Sequence, residues 1–271
     1  MRPRSRSPGR PCLPSAGTRR PAASATVGPV IAPELPDEAS DRGSPTLRHQ
    51  PRYSGFEPAS PEDEGARDAV ERHIERHFGP ISWVYHEIGS HVVHIDVHVV
   101  EPSSQRPYYT LVTNGMSDRP MSLPDKAIEA GHHEFAELML CLPPEWRLGD
   151  DAFRDEANYW PLRLLKQFAR LPHEYQTWTG PWHSMPNGDP AEPYAPGLPF
   201  VGAVITPMLR CAADARTIVT DDGRQISLLA VIPVHRAEMD LKLTEGSQAL
   251  LDAFDRVRVN GLLDPARLSS V

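Results

Sequence analysis

Tyr108-Tyr109-Thr110-Leu111-Val112-Thr113-Asn114-Gly115-Met116-Ser117-Asp118-Arg119-Pro120-Met121 changes character at its midpoint. Tyr109 to Thr113 is a β-rich run of aromatic and β-branched residues. Asn114-Gly115 then offers two residues that tolerate positive φ, and Pro120 keeps the ladder from resuming at once. The stretch is expected to be a strand running into a polar turn.

Further strand-like runs lie on either side, at 81–88, 91–100 and 134–142, with turn composition at Gly89-Ser90, 102–107 and 115–131. Ahead of them, Ser60-Pro61-Glu62-Asp63-Glu64 is the signature of a helix start, with Ser60 as cap and the acids facing the positive end of the dipole. Val70, Ile74 and Phe78 give that helix one apolar stripe, and Gly79-Pro80 ends it. A second helix is expected after Pro161, with Leu164, Leu165, Phe168 and Leu171 on one face and Pro172 closing it. Residues 175–178 suggest a short strand, and 180–199, with six prolines and three glycines, a long irregular loop. Residues 200–208 and 225–234 read as buried strands, the second entered through the Asp221-Asp222-Gly223 turn. Thr244 is expected to cap a last helix whose inner stripe is Leu250, Phe254 and Val257. The fold class is mixed α/β: a central mixed sheet flanked by helices.

Residues 1–57 are rich in Pro, Ser, Arg and Ala, a composition that buries too little apolar surface to offset its ordering entropy. They are expected to form a disordered arm, leaving 58–265 as a single domain. The chain's net charge is −8; residues 1–50 hold eight arginines and four acids, so the rest holds 20 basic and 32 acidic residues. An acidic body disfavours nucleic acid and suits a basic partner. Cys12, Cys141 and Cys211 are odd in number and far apart, which gives neither a disulfide framework nor a metal knuckle and fits a reducing cytoplasm. No apolar run approaches the ~20 residues of a membrane span.

Several constellations resemble chemistry. His94, Asp96 and His98 share one face of a strand whose other face is Val93, Ile95, Val97 and Val99. Residues four apart on a strand are ~13 Å from one another, so His94 and His98 cannot readily share an ion, whereas one of them with Asp96 and outside ligands can. His73 and His77 have helical i, i+4 spacing but no third ligand in view, and no metal or other cofactor is expected. Gly115-Met116-Ser117 starts like a hydrolase elbow, but Arg119 replaces the closing glycine. Cys141 sits in an apolar run and reads as core. Trp178, Trp182 and His183, beside the long loop, are residue types enriched at protein interfaces.

Five blocks then occur in order: 109–118; Glu134 to Pro143-Pro144-Glu145-Trp146; Tyr159-Trp160-Pro161-Leu162 to Arg170; Trp178-Thr179-Gly180-Pro181-Trp182-His183-Ser184; and Pro199-Phe200 to Met208 with Leu228 to Pro233. From about residue 80 to 256 this resembles the Suppressor of Fused domain family in its bacterial form. The resemblance implies a mixed α/β fold and a non-catalytic protein-binding role. Animal members capture an extended peptide of a transcription factor in a cleft between two domains. This chain matches only the first of these, so that mode does not transfer whole. For a bacterial member the resemblance implies an immunity protein that neutralises a toxin, and places Tyr109, Ser117, Asp118, Trp182 and His183 at or near the binding surface. The alternatives are a regulatory scaffold for an intrinsic bacterial partner and a metal-dependent hydrolase using His94 and Asp96.

Overall fold

The computed structural model describes Gly43 and residues 55–208 and 211–271. The arm assigned to 1–57 lies almost wholly outside the described residues. Eight strands form one sheet: β1 (Trp83–Tyr85), β2 (Asp96–Val100), β3 (Tyr109–Asn114), β4 (Phe135–Leu142), β5 (Ser184–Pro186), β6 (Phe200–Pro207), β7 (Thr217–Val219) and β8 (Gln225–His235). Their order is β1-β2-β3-β4-β8-β6-β5, with β7 also pairing β8. Among the named strands of the described residues β4 and β8 run parallel and the other pairs antiparallel, so the sheet is mixed as expected. Five helices flank it: α1 (Glu64–His77), α2 (Asp125–Glu129), α3 (Glu156–Glu174), α4 (Arg236–Glu245) and α5 (Ser247–Val257).

Both faces of the sheet are covered, which is why its central strands read as continuous apolar runs. On one face Val97, Val99, Leu111, Leu138 and Leu140 pack with Trp160, Leu164, Leu165 and Phe168 of α3. On the other, Val70, Ile74 and Phe78 meet Val112, Met139, Cys141 and Leu228, while Met239, Leu250 and Phe254 cover Val204, Ile232 and Val234. The expected stripe of α1 and the buried position of Cys141 are therefore found.

Several boundaries move, each for a tertiary reason. The cap of α1 is Asp63, whose carboxylate accepts from Ala66 N at 3.0 Å. Ser60 instead donates to Val92 O, joining the segment before α1 to the segment before β2. The 91–100 run becomes strand only from Asp96, because Val92 takes φ 66° and breaks the extended backbone. Helix α3 begins at Glu156 on an Asp155 cap and carries Pro161 and Pro172 within it. An internal proline costs about 3 kcal/mol. Each fully buried large apolar side chain returns about 1.5–3 kcal/mol, and Trp160, Leu164 and Leu165 are all at 0 % exposure. Helix packing wins. Residues 175–178 form no strand; the long segment after them supplies β5 instead. Thr244 lies inside α4, a helix absent from the sequence reading, and donates to Asp240 O at 2.9 Å. Val257 is exposed, and Ala253 takes its place beside Leu250 and Phe254.

Candidate functional site

The turn after β3 is built around one buried carboxylate. Glu137 sits at 0 % exposure on β4. Its Oε1 accepts from Gly115 N at 3.0 Å, Ser117 N at 2.9 Å and Ser117 Oγ at 2.6 Å. Its Oε2 accepts from Thr113 Oγ1 at 2.6 Å, and that hydroxyl accepts in turn from Leu138 N. Burial pushes the Glu137 carboxyl up to about 7, even though all four donors favour its charge. Asn114 stays in β3, so Gly115 alone takes the positive φ, at 123°. A Cβ there would stand 2.0 Å from His94 O, so the position admits only glycine.

The next residue of consequence, Asp118, meets α1. Arg67 Nη2 donates to Asp118 Oδ2 at 2.8 Å and Arg67 Nε reaches both carboxylate oxygens at 3.2 Å. The same guanidinium donates to His94 O at 2.8 Å and to Asp96 Oδ2 at 3.3 Å. Burial opposes the charge of Arg67, but the pair with Asp118 outweighs it and raises the guanidinium above its ordinary range. Arg67 therefore ties α1, the segment before β2, and the turn together.

Beyond Arg67 opens a cleft of about 320 Å³ between α1 and the ends of β1, β2 and β3, lined by Glu62, Glu71, Val84, Asp96, His98 and Asn114 among others. At its rim, Asp96 Oδ1 lies 2.9 Å from His94 Nε2 and Asp96 Oδ2 lies 3.2 Å from His86 Nδ1. Burial raises the Asp96 carboxyl, but His94, the Glu87 N–H and His86 more than reverse this and hold it below the usual range. These three side chains offer ligand atoms within 4.8 Å of one another, an arrangement that suits a metal ion. His98 is outside the group: it is 2 % exposed, its Nε2 is 3.2 Å from Asn114 Nδ2, and burial lowers its pKa to about 4. The polar face of β2 is therefore covered by α1, not open to solvent. His73 Nε2 instead donates to the Ala215 carbonyl oxygen at 3.0 Å.

On the opposite face of β1 runs a row of half-buried aromatic rings. Tyr109 meets Trp83 at 6.2 Å between centroids, Trp83 meets Tyr85 at 6.4 Å, Tyr85 meets Phe153 at 5.0 Å and Phe153 meets Tyr159 at 5.4 Å. Among the described residues β1 ends the sheet on this side. At the other end, Trp182 (φ 72°) and His183 lead into β5. His183 stacks edge-on against Trp178 at 4.3 Å, and Trp178 packs on the main core.

The five residues singled out in the sequence thus fall in three places. Tyr109 is half-buried in the aromatic row, and Trp182 and His183 are half-buried beside the far edge of the sheet. Ser117 is at 0 % exposure and the Asp118 side chain at 1 %, so in this conformation both hold the turn in place and present no surface to a partner. Tyr109 and the turn are also separated by the length of β3, about 17 Å. His86, at the end of β1, was missed in the sequence; its only signal was a polar residue closing an apolar run.

Among known proteins, the family model described as Suppressor of fused protein (SUFU) matches residues 91–268. The chain belongs to the Suppressor of fused family. Among solved structures, the SUFU homolog from Neisseria gonorrhoeae FA 1090 aligns with a TM-score of 0.56 at 14% identity, over 77% of this chain and 98% of that one. A chain of the Sufu-Fu complex aligns with a TM-score of 0.51 at 11% identity, over 76% of this chain and 92% of that one. No curated protein sequence matches significantly. The structural likenesses show the Suppressor of fused fold. The family match starts at His91, yet α1 and β1 precede it and are integral to the sheet: β1 pairs with β2, and Arg67 of α1 pairs with Asp118. Among the described residues no helix is long and apolar enough to cross a membrane.

Proposed function

We propose that this Suppressor of fused domain, spanning 58–265, is a non-catalytic protein-binding module that captures an extended segment of its partner along the outer edge of β1. The observation that carries this reading is the free edge itself. Among the described residues no strand lies beyond β1, and the edge is flanked by the ring row Tyr109–Trp83–Tyr85–Phe153–Tyr159. An added strand gains backbone hydrogen bonds from such an edge, and half-exposed aromatics beside it supply the anchoring contacts that dominate interface energy. A relative with this fold, aligned above, comes from the Sufu-Fu complex, which supports a protein ligand. Trp182 and His183 flank the other sheet edge and form a secondary contact in this reading; Ser117 and Asp118 act by shaping the turn.

The partner we infer is a protein with a basic face, since the chain carries 36 acidic against 28 basic residues and the acids dominate beyond residue 50. A bacterial toxin domain neutralised in the cytoplasm fits that charge. Co-expression with the product of the adjacent gene, scored by growth, tests the toxin assignment: growth unaffected by the domain would remove it. The edge assignment is tested separately, by measuring partner affinity with Trp83→Ala and Tyr85→Ala. A loss of at least tenfold in each is expected, and wild-type affinity in both would move the interface away from β1. Association should also slow as salt rises.

A further inference from the structure

The proposed peptide edge and its aromatic row make no use of the imidazoles of His86 and His94 or of the Asp96 carboxylate they face, although Arg67 also touches Asp96. We propose that this cluster is a binding site for one divalent first-row transition metal, zinc above all, with three protein ligands and a fourth position open to the acidic cleft.

The donor set comes first. Two imidazoles and one carboxylate suit zinc or ferrous iron, and three protein ligands with an open position are the usual make-up of an accessible zinc site. Bonds of 2.0–2.2 Å to a tetrahedral ion set the ligand atoms about 3.3 Å apart. The Asp96 oxygens already lie 2.9 Å from His94 Nε2 and 3.2 Å from His86 Nδ1. His86 and His94 offer ligand atoms within 4.8 Å of each other, so holding the ion closes the gap between their rings by at most about 1.5 Å. Alternation along β1 matters here: Trp83 and Tyr85 point to the aromatic row, so His86, just past the strand, falls on the side of Asp96.

The second observation is the support behind the ligands. His94 Nδ1 is 2.5 Å from Ser90 Oγ, which fixes the ring so that Nε2 points at Asp96. Asp96 Oδ1 is also held by Glu87 N at 3.1 Å. A metal-binding histidine commonly has its other nitrogen fixed in this way. The acids of the cleft outnumber its cations: Glu62, Glu64, Asp68 and Glu71 line it with Asp96, against the Arg67 guanidinium and the Lys166 ammonium that also feels Asp96. That guanidinium does not compete strongly, because its shorter bonds go to Asp118 and His94 O, and its contact with Asp96 is 3.3 Å. Bound metal would close the loop 86–96 across its base and leave its free position for water or a donor atom of a docked partner.

The test uses the full chain alone, stripped with chelator, so that its outcome is independent of the peptide-binding reading. Zinc is titrated by calorimetry and cobalt(II) by visible absorption, with anaerobic ferrous iron as a second arm and magnesium and calcium as controls. One equivalent of zinc or iron should bind and raise the melting temperature, and magnesium and calcium should not. His86→Ala removes a mostly exposed side chain and leaves the core untouched, with 71% of that side chain in solvent. It and Asp96→Asn should each weaken zinc by over about 100-fold, and Ser90→Ala by roughly tenfold, the scale of an outer-shell change. Absence of saturable zinc or iron binding overturns the proposal. So does stoichiometric binding that survives His86→Ala, which would place the ion elsewhere in the chain.

Discussion

Ser117 Oγ donates to Glu137 Oε1 across 2.6 Å, with both residues wholly removed from solvent. This contact joins the turn after β3 to the middle of the neighbouring strand, and it makes the most recognisable stretch of the sequence part of the core.

Because burial raises Glu137 to about 7, the folded protein holds that proton more tightly than the unfolded chain. The associated stability is full below about pH 4.5 and is lost as pH rises through about 7. The loss should be on the order of 3 kcal/mol, most of it between pH 5 and 8. Glu137→Gln imitates the protonated acid, keeping an acceptor for Gly115 N and the Ser117 donors. Denaturant melts at several pH values should show wild type weakening relative to this variant as pH rises. Parallel curves would mean that Glu137 ionises normally.

Gly115→Ala should be among the most damaging single changes. It combines φ 123° with a Cβ placed 2.0 Å from His94 O and 2.6 Å from Arg67 Nη2. The expected cost is at least about 3 kcal/mol. Gly131 supplies the control: its φ is 83°, but nothing lies within 4 Å of its Cβ, so Gly131→Ala should cost only about 1 kcal/mol. Equal urea midpoints for the two variants would contradict the close approach of the segment before β2 to the turn.

The C-terminal segment should respond to acid. Glu238, at the start of α4, is fully buried and accepts from Arg267 Nη2 at 2.8 Å and from Ser270 N and His235 N at 2.9 Å each. Burial alone would raise its carboxyl, but Arg267 and these N–H donors more than reverse this and lower it to about 2. The stability from this depression is present above about pH 4.5 and is lost as pH falls through about 2. Glu238→Gln should cost on the order of 3 kcal/mol at neutral pH, with the gap to wild type narrowing below pH 4.5. A gap that stays constant down to pH 3 would rule out ionisation of Glu238 as its source.

Much of the fold was legible because it is local. The runs at 109–113, 134–142 and 225–234 supply β3, β4 and β8, and the stripe of Val70, Ile74 and the capping Phe78 turns α1 toward the sheet. Where local rules erred, a distant contact had overridden them. Ser60 looks like a cap, but Val92 O claims its hydroxyl; Pro161 looks like a helix start, but α3 runs through it because its neighbours are buried. Helix α4 was missed because its buried side includes Glu238 and Lys242, polar residues that periodicity assigns to solvent.

The same division holds at the candidate site. The order of five motif blocks was enough to place the chain in its family, and the strand-turn around Gly115 could be read from residue types, since backbone preference is a property of each residue and its near neighbours. Whether Ser117 and Asp118 face a partner or the core was decided only by Glu137 and Arg67, 20 and 51 positions away. The same is true of His86, which reaches Asp96 only because β1 and β2 fold back on each other. Exposure and ligand geometry arise from which distant segments meet, and that is fixed when the sheet closes, not by any one stretch of chain.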